Sequence, residues 1–204
     1  ARYNDPHIKI FEEERELTMM LIVDVSGSKL FGTEKQLKNE FVTEIAATLA
    51  FSATQNNDKI GLILFTNQIE LYIPPKKGRS HVLRIIRELI EFKAINKQTN
   101  ISDALRFLSS VIKKRAIVFV LSDFIDDNYD YTLKIASKKH DVTGIRIYDK
   151  SEMTIPNLGL VQMIDQECGK SMIVNTSLKS TRENYTNQFI ARQNYFETSF
   201  KKSG

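Results

Sequence analysis

The sequence predicts an α/β protein with a doubly wound, mostly parallel central sheet flanked by helices, and with an added C-terminal β-hairpin and helix. Three observations predict it. Short β-rich runs alternate with stretches that carry apolar residues every three or four positions, which is the signature of strand and helix in turn. One run, 116–121, is apolar throughout, as a central parallel strand covered on both faces must be. Two of the strongest runs end in the same chemistry, carboxylates beside hydroxyls, at Asp24 with Ser26 and at Ser122-Asp123.

The 204 residues are 42% hydrophobic, which suits a single domain over 1–204 with a sizeable core and argues against a disordered chain. Against 25 acidic residues stand 29 basic ones, a net charge of +4. The basic pairs Lys76-Lys77, Lys113-Lys114 and Lys138-Lys139 are scattered between elements, as solvated surface charge usually is. No nucleic-acid motif accompanies them, so no nucleic-acid partner is expected. Cys168 is the only cysteine, which excludes an internal disulfide and suits a reducing, cytoplasmic setting. The longest apolar runs, 19–23 and 116–121, are too short to span a bilayer, and no direct membrane insertion is expected.

In chain order, 8–16 is a charged lead-in and a candidate edge strand, followed by a first central strand over 17–25. Thr33 and Gln36 have the spacing of a capping box. Behind them Leu37, Phe41, Ile45, Leu49 and Ala53 form a stripe at a spacing of four that predicts a helix, ended by Asn56-Asn57-Asp58. A second strand over 60–66 turns at Asn67-Gln68 into a hairpin partner over 69–73, closed by Pro74-Pro75. Ser80 is the candidate cap of a helix carrying Val82, Ile85, Ile86 and Leu89. After 96–99 a further helix carries Ile101, Leu105, Leu108 and Ile112. The strand 116–121 leads through a loop at 126–130 to a helix with Leu133 and Ala136, then to a strand over 142–148. Past Asp149 come a connection with Pro156 and Gly159, a hairpin of 160–164 with 172–176, and a last helix. That helix places Tyr185, Phe189, Phe196 and Phe200 on roughly one face, a pattern of core packing.

In doubly wound sheets ligands sit beyond the carboxyl ends of the strands, where the winding reverses. If the strands that end at Asp24 and Asp123 are neighbours there, their carboxylates share a crevice with Ser26, Ser28 and the loop carrying Thr99. Such a set offers oxygen ligands and no nitrogen or sulfur, which suits a small divalent cation such as Mg²⁺. The same residue types also form turns, and Thr99 or Asn100 can simply cap the helix that follows. His7, His81 and His140 are far apart in sequence with no ligand pattern around them, and are read as surface or packing residues.

Asp24-Val25-Ser26-Gly27-Ser28, then Thr99-Asn100 ahead of Ala104-Leu105, then Ser122-Asp123 after an apolar strand, together resemble the metal-ion-dependent adhesion site of von Willebrand factor A domains. More narrowly, the chain resembles the bacterial domain-of-unknown-function family fifty-eight, whose members carry that domain. The narrower resemblance rests on Ala1-Arg2, the acidic segment 11–16, Phe65 with Pro74-Pro75, Leu121-Ser122-Asp123-Phe124, Tyr148-Asp149, Pro156, Gly159 and the turn at 165–169. Lys29 stands where the family often has methionine, and the family normally has a further segment ahead of Ala1.

The resemblance implies that Ser26, Ser28 and Thr99 are direct hydroxyl ligands, with Asp24 and Asp123 near the ion, often through water. It implies Mg²⁺ or another divalent cation such as Mn²⁺ or Ca²⁺, and an open position filled by a Glu or Asp of a protein partner. It also implies work alongside a MoxR-type AAA+ ATPase in protein assembly or remodelling, with no catalytic residues. The alternative is a Mg²⁺-dependent phosphatase resembling the haloacid dehalogenase superfamily, with Asp24 as nucleophile and Asp123, Asp126 and Asp127 as its acidic loop. That family places a second aspartate where Ser26 stands, and a hydroxyl cannot replace it as general acid. The chain has no phosphate-binding Gly-rich loop of its own and no Gly-x-Ser-x-Gly elbow.

Overall fold

The computed structural model describes residues 16–26, 33–164 and 171–204. Five strands form the central sheet: β1 (Thr18–Asp24), β2 (Lys59–Phe65), β3 (Ile69–Lys76), β4 (Ile117–Ser122) and β5 (Asp141–Arg146), in the order β3-β2-β1-β4-β5. All neighbours run parallel except β2 and β3, which form the hairpin read from the sequence. Helices α1 (Thr33–Gln55) and α2 (Arg79–Glu91) cover one face of the sheet, while α3 (Ile101–Val111), α4 (Asp130–Lys139) and α5 (Lys179–Ser203) pack on the other. A short 3-10 turn (Lys150–Met153) and a separate hairpin of β6 (Leu160–Ile164) with β7 (Ser171–Asn175) precede α5. This is the doubly wound, mostly parallel architecture read from the sequence, with its added hairpin and helix. Among the described residues no helix is long and apolar enough to cross a membrane.

Strand alternation explains the two cores. Met20 and Ile22 face the α3, α4 and α5 side with Ile63, Phe65, Val118 and Val120, whereas Leu21 and Val23 face the α1 and α2 side with Leu62 and Leu64. All of these side chains are at most 1% exposed, and each fully buried Leu or Ile contributes about 1.5–3 kcal/mol. Two glycines permit close approach. A Cβ on Gly61 would lie 2.7 Å from Met20 Sδ and 2.8 Å from the Ile73 carbonyl oxygen, and one on Gly144 would overlap the Phe200 ring by which α5 lies on β5.

Four local expectations are corrected. The buried face of α1 is Ala46, Ala50 and Ala53 with Val42, Ile45 and Leu49 beside them, and Phe41 is 53% exposed. At 3.6 residues per turn a spacing of four drifts about 40° per step, so Phe41 and Ala53 lie about 120° apart and cannot share a face. Strand β3 runs through Pro74 and Pro75 to Lys76, because it is an edge strand where a missing N–H costs no ladder bond. The bulge between the pairs Ile60–Lys76 and Leu62–Ile73 absorbs the extra residue. Helix α2 is capped by Gly78 at φ 102°, a conformation suited to glycine, and Ser80 lies inside the helix. Strand β5 ends at Arg146, two residues short of Tyr148. The candidate edge strand 8–16, apart from Glu16, and the turn at 165–169 lie outside the described residues.

β1 pairs with β2 on one side and with β4 on the other, both parallel, so the winding reverses between β1 and β4. The register pairs Val23 with Leu121, which sets Asp24 beside Ser122 at the carboxyl edge and Asp123 directly after it.

Candidate metal centre

Asp24 closes β1, and its carboxylate gathers donors from three separate stretches. Oδ1 accepts the Ser26 N–H at 3.0 Å, a local turn of the kind Asp favours. Oδ2 accepts the Ser122 hydroxyl at 2.7 Å and the Thr99 hydroxyl at 3.3 Å. Ser26 Oγ and Thr99 Oγ1 are themselves 2.8 Å apart, although 73 residues separate them in the chain.

Thr99 is free for this because other residues cap α3. Asn100 is the N-cap, its Oδ1 accepting the Asp103 N–H at 2.9 Å, and Asp126 Oδ2 accepts the Ile101 N–H at 2.7 Å. The Asn100 N–H donates to the Thr66 carbonyl at 2.9 Å, which fixes the loop against the β2–β3 turn. The choice left open between Thr99 and Asn100 as cap is thus decided for Asn100. Asp126 was not foreseen in this role, since its partner lies 25 residues upstream and no local pattern marks it. One of its carboxylate oxygens is thereby held at the terminus of α3.

Asp123 sits in the turn that leaves β4. Its Oδ1 accepts the Ile125 N–H at 3.2 Å, and its carbonyl oxygen accepts from Arg146 Nε at 3.1 Å. The Arg146 guanidinium lies over the Tyr148 and Phe189 rings, 5.2 and 4.9 Å from their centroids. Phe124 follows at φ 56°, an uncommon conformation for a bulky residue, held by the Ser122 hydroxyl on its N–H at 3.0 Å. Its ring is buried against Tyr129, Phe196 and Phe200.

The structure therefore brings together Asp24, Ser26, Thr99 and Asp123 among the residues expected from sequence, while Ser28 lies outside the described residues. Ser122, read from sequence as part of the motif that ends the strand but not as a ligand, is a direct partner of Asp24. Its signal was its place before Asp123 at the end of an apolar strand. His81 Nε2 lies 2.9 Å from the Ile60 carbonyl oxygen, and buried His140 precedes β5, so both belong to the amino ends of the strands. Burial first, and the Asp123 carboxylate second, hold the Asp24 carboxyl above its ordinary range, at about 6, against the hydrogen bonds from Ser122 and Ser26. Among the described residues no three His, Cys, Asp or Glu side chains cluster as ligands, so a cation held here would need the hydroxyls. Chemically the crevice offers oxygen alone, with a second carboxylate close enough to disfavour charge on the first.

The model of the family described as "Protein of unknown function DUF58" matches residues 1–195. Two uncharacterized proteins, one of Mycobacterium bovis and one of Mycobacterium tuberculosis, are each 27% identical to this chain over 173 residues. The match takes 83% of this chain and 54% of theirs, so the chain spans about half the length of the curated relatives it matches. Among solved structures, an aerotolerance-related membrane protein from Bacteroides fragilis superposes with a TM-score of 0.58 at 15% identity, over 91% of this chain and 99% of that one. The conserved hypothetical protein BatB from Bacteroides thetaiotaomicron follows at 0.55 and 14%, over 92% and 98%. Proximal thread matrix protein 1 from the mussel byssus gives 0.52 and 13%, over 64% and 38%. At such identities the likeness is one of fold.

Proposed function

The chain belongs to the DUF58 family, and from that membership we propose that it is a protein–protein interaction module whose contact is made through a divalent cation held by Asp24, Ser26, Ser28, Thr99 and Asp123. The observation that carries the proposal is the meeting of the Ser26 and Thr99 hydroxyls over Asp24, with Asp123 alongside. These residues fit Mg²⁺, or Mn²⁺ or Ca²⁺ in its place. The donors are hard oxygens, and two carboxylates nearly balance one divalent ion. Ser26, Ser28 and Thr99 would be the direct ligands, with Asp24 and Asp123 near the ion.

When bound, the cation supplies a positive centre with a position open to an anionic oxygen. The chain's own residues do the rest. Asp24 accepts the Thr99 hydroxyl and the Ser26 N–H, which orients both ligand residues and leaves hydroxyl lone pairs available. Asp123 adds negative charge from the neighbouring strand end. No residue is assigned a proton-transfer or nucleophilic role. Both oxygens of Asp24 already accept hydrogen bonds, and Ser26 is where a phosphatase of the haloacid dehalogenase type needs an acid. The partner would present a Glu or Asp. The partner proposed is a MoxR-type AAA+ ATPase of the cytoplasm, in protein assembly or remodelling, a proposal that follows from the family resemblance alone.

The test is binding of purified ATPase to this chain in Mg²⁺ and in chelator, with Ser26→Ala and Ser28→Ala beside the wild type. Binding is expected in Mg²⁺ only, and to be lost in both variants. Equal affinity in chelator, or in both variants, overturns the reading. So does phosphate-ester turnover that survives repurification and disappears in Asp24→Asn.

A further inference from the structure

Ser122 is the last residue of β4, 4% exposed, and its hydroxyl makes two hydrogen bonds. The oxygen accepts the Phe124 N–H at 3.0 Å, and it lies 2.7 Å from Asp24 Oδ2. A hydroxyl has one proton, and with an N–H aimed at its oxygen that proton goes to the carboxylate. We propose that Ser122 is a positioning residue for the cation site, setting the orientation of Asp24 and the turn that carries Asp123 through one hydroxyl. The inference rests on the metal-dependent reading above and extends it to a residue that is not a ligand.

The geometry makes both halves of this role specific. The Ser26 N–H, two residues away, ties only Oδ1 of Asp24 and leaves the carboxylate plane able to swing about that bond. Ser122 ties Oδ2 from the adjacent strand, 98 residues away in sequence, and so fixes the plane. With the plane fixed, Oδ2 also faces the Thr99 hydroxyl, and the Ser26 and Thr99 oxygens lie 2.8 Å apart. The second half concerns the other carboxylate. Asp123 lies between Ser122 and Phe124, so the bond from the Phe124 N–H to Ser122 Oγ closes the turn around it and sustains φ 56° at Phe124. Alanine at 122 would cut both ties at once, and aspartate would add a third carboxylate. Threonine would keep the hydroxyl.

Four variants test this: Ser122→Ala, Ser122→Thr, Ser26→Ala and the core control Val120→Ala, which is destabilised without touching the site. Two readouts are taken, Mg²⁺ affinity by calorimetry and the Ser26 amide resonance in chelator. Ser122→Ala should weaken Mg²⁺ binding about 10-fold or more, the usual cost of losing a residue behind the ligands, and shift the Ser26 amide without metal. Ser122→Thr should restore both, and Val120→Ala should leave both as in the wild type. If Ser122→Ala does not fold, Ser122→Cys keeps the volume, loses the strong donor and should show the same two losses. Wild-type affinity in Ser122→Ala beside lost affinity in Ser26→Ala overturns the positioning role alone, as does an equal loss in Val120→Ala. A wild type that binds no divalent cation overturns the metal reading and this inference with it.

Discussion

The two ends of β1 carry carboxylates in opposite circumstances. Just before the strand, exposed Glu16 meets Lys77 Nζ at 2.7 Å and Lys59 Nζ at 2.9 Å, and those hydrogen bonds, Lys77 first, hold its carboxyl down at about 2. At the far end Asp24 lies among hydroxyls, an N–H and a second carboxylate, and is held up at about 6. The fold supplies its own cations where the charge is exposed and easily left to water. In the crevice, where the charge is costly, it supplies carboxylates and hydroxyls. That is the reverse of what stability alone would select, and it is the arrangement expected of a site completed from outside.

The largest expected effect tests whether charge is confined to the strand ends. Val118→Asp places a carboxylate in the middle of β4, where the side chain is fully buried, and should remove the cooperative unfolding transition. Circular dichroism melting would show it, and a folded variant of ordinary stability would mean that the core is wetter than described.

Next comes Asp24 itself. Its folded pKa is raised, so between about 4 and about 6 the metal-free native state holds more protons than the unfolded one, and stability falls as pH rises through that window. A shift of this size corresponds to roughly 1–3 kcal/mol. Urea unfolding in chelator should show the decline in wild type and not in Asp24→Asn. In Mg²⁺ the slope should flatten, and Mg²⁺ affinity should weaken as pH drops below about 6. A wild-type slope identical to that of Asp24→Asn would break the contrast between the strand ends.

His140 gives a smaller effect of opposite sign. It is buried, neither ring nitrogen has a hydrogen-bond partner among the described residues, and burial with the nearby Lys139 charge lowers its proton affinity. A lowered folded pKa means that stability is lost as pH falls through the unfolded value of about 6.5. His140→Phe should remove that loss in an unfolding series at pH 7 and 5.5. Its persistence would assign the acid sensitivity elsewhere. The smallest effect belongs to Glu16→Gln, because exposed pairs contribute little. Its melting temperature and its Mg²⁺ affinity should both stay within the error of the measurement, and a lost affinity would tie the two strand ends together.

What could be read from the sequence divides along the line between local and long-range information. β1 and β4 were legible because buried parallel strands must be apolar throughout, and Asp24, Ser26, Thr99 and Asp123 because their chemistry is written in short stretches. The face of α1 was misread because small alanines, which let the helix lie close to the sheet, carry a weaker signal than Phe41. The span of β3 through two prolines depends on its edge position, which only the strand order reveals. Ser122 on Asp24 and Asp126 on the Ile101 N–H join residues far apart in the chain, and no spacing rule reaches across them.

The measurement that bears most directly on the central claim is a calorimetric Mg²⁺ titration of the wild type beside Thr99→Ala, at neutral pH. The account predicts one Mg²⁺ per chain in the wild type and binding at least about 10-fold weaker in Thr99→Ala, the scale of a lost ligand-sphere contact. Equal binding by both, or none by the wild type with Mg²⁺, Mn²⁺ or Ca²⁺, would contradict it.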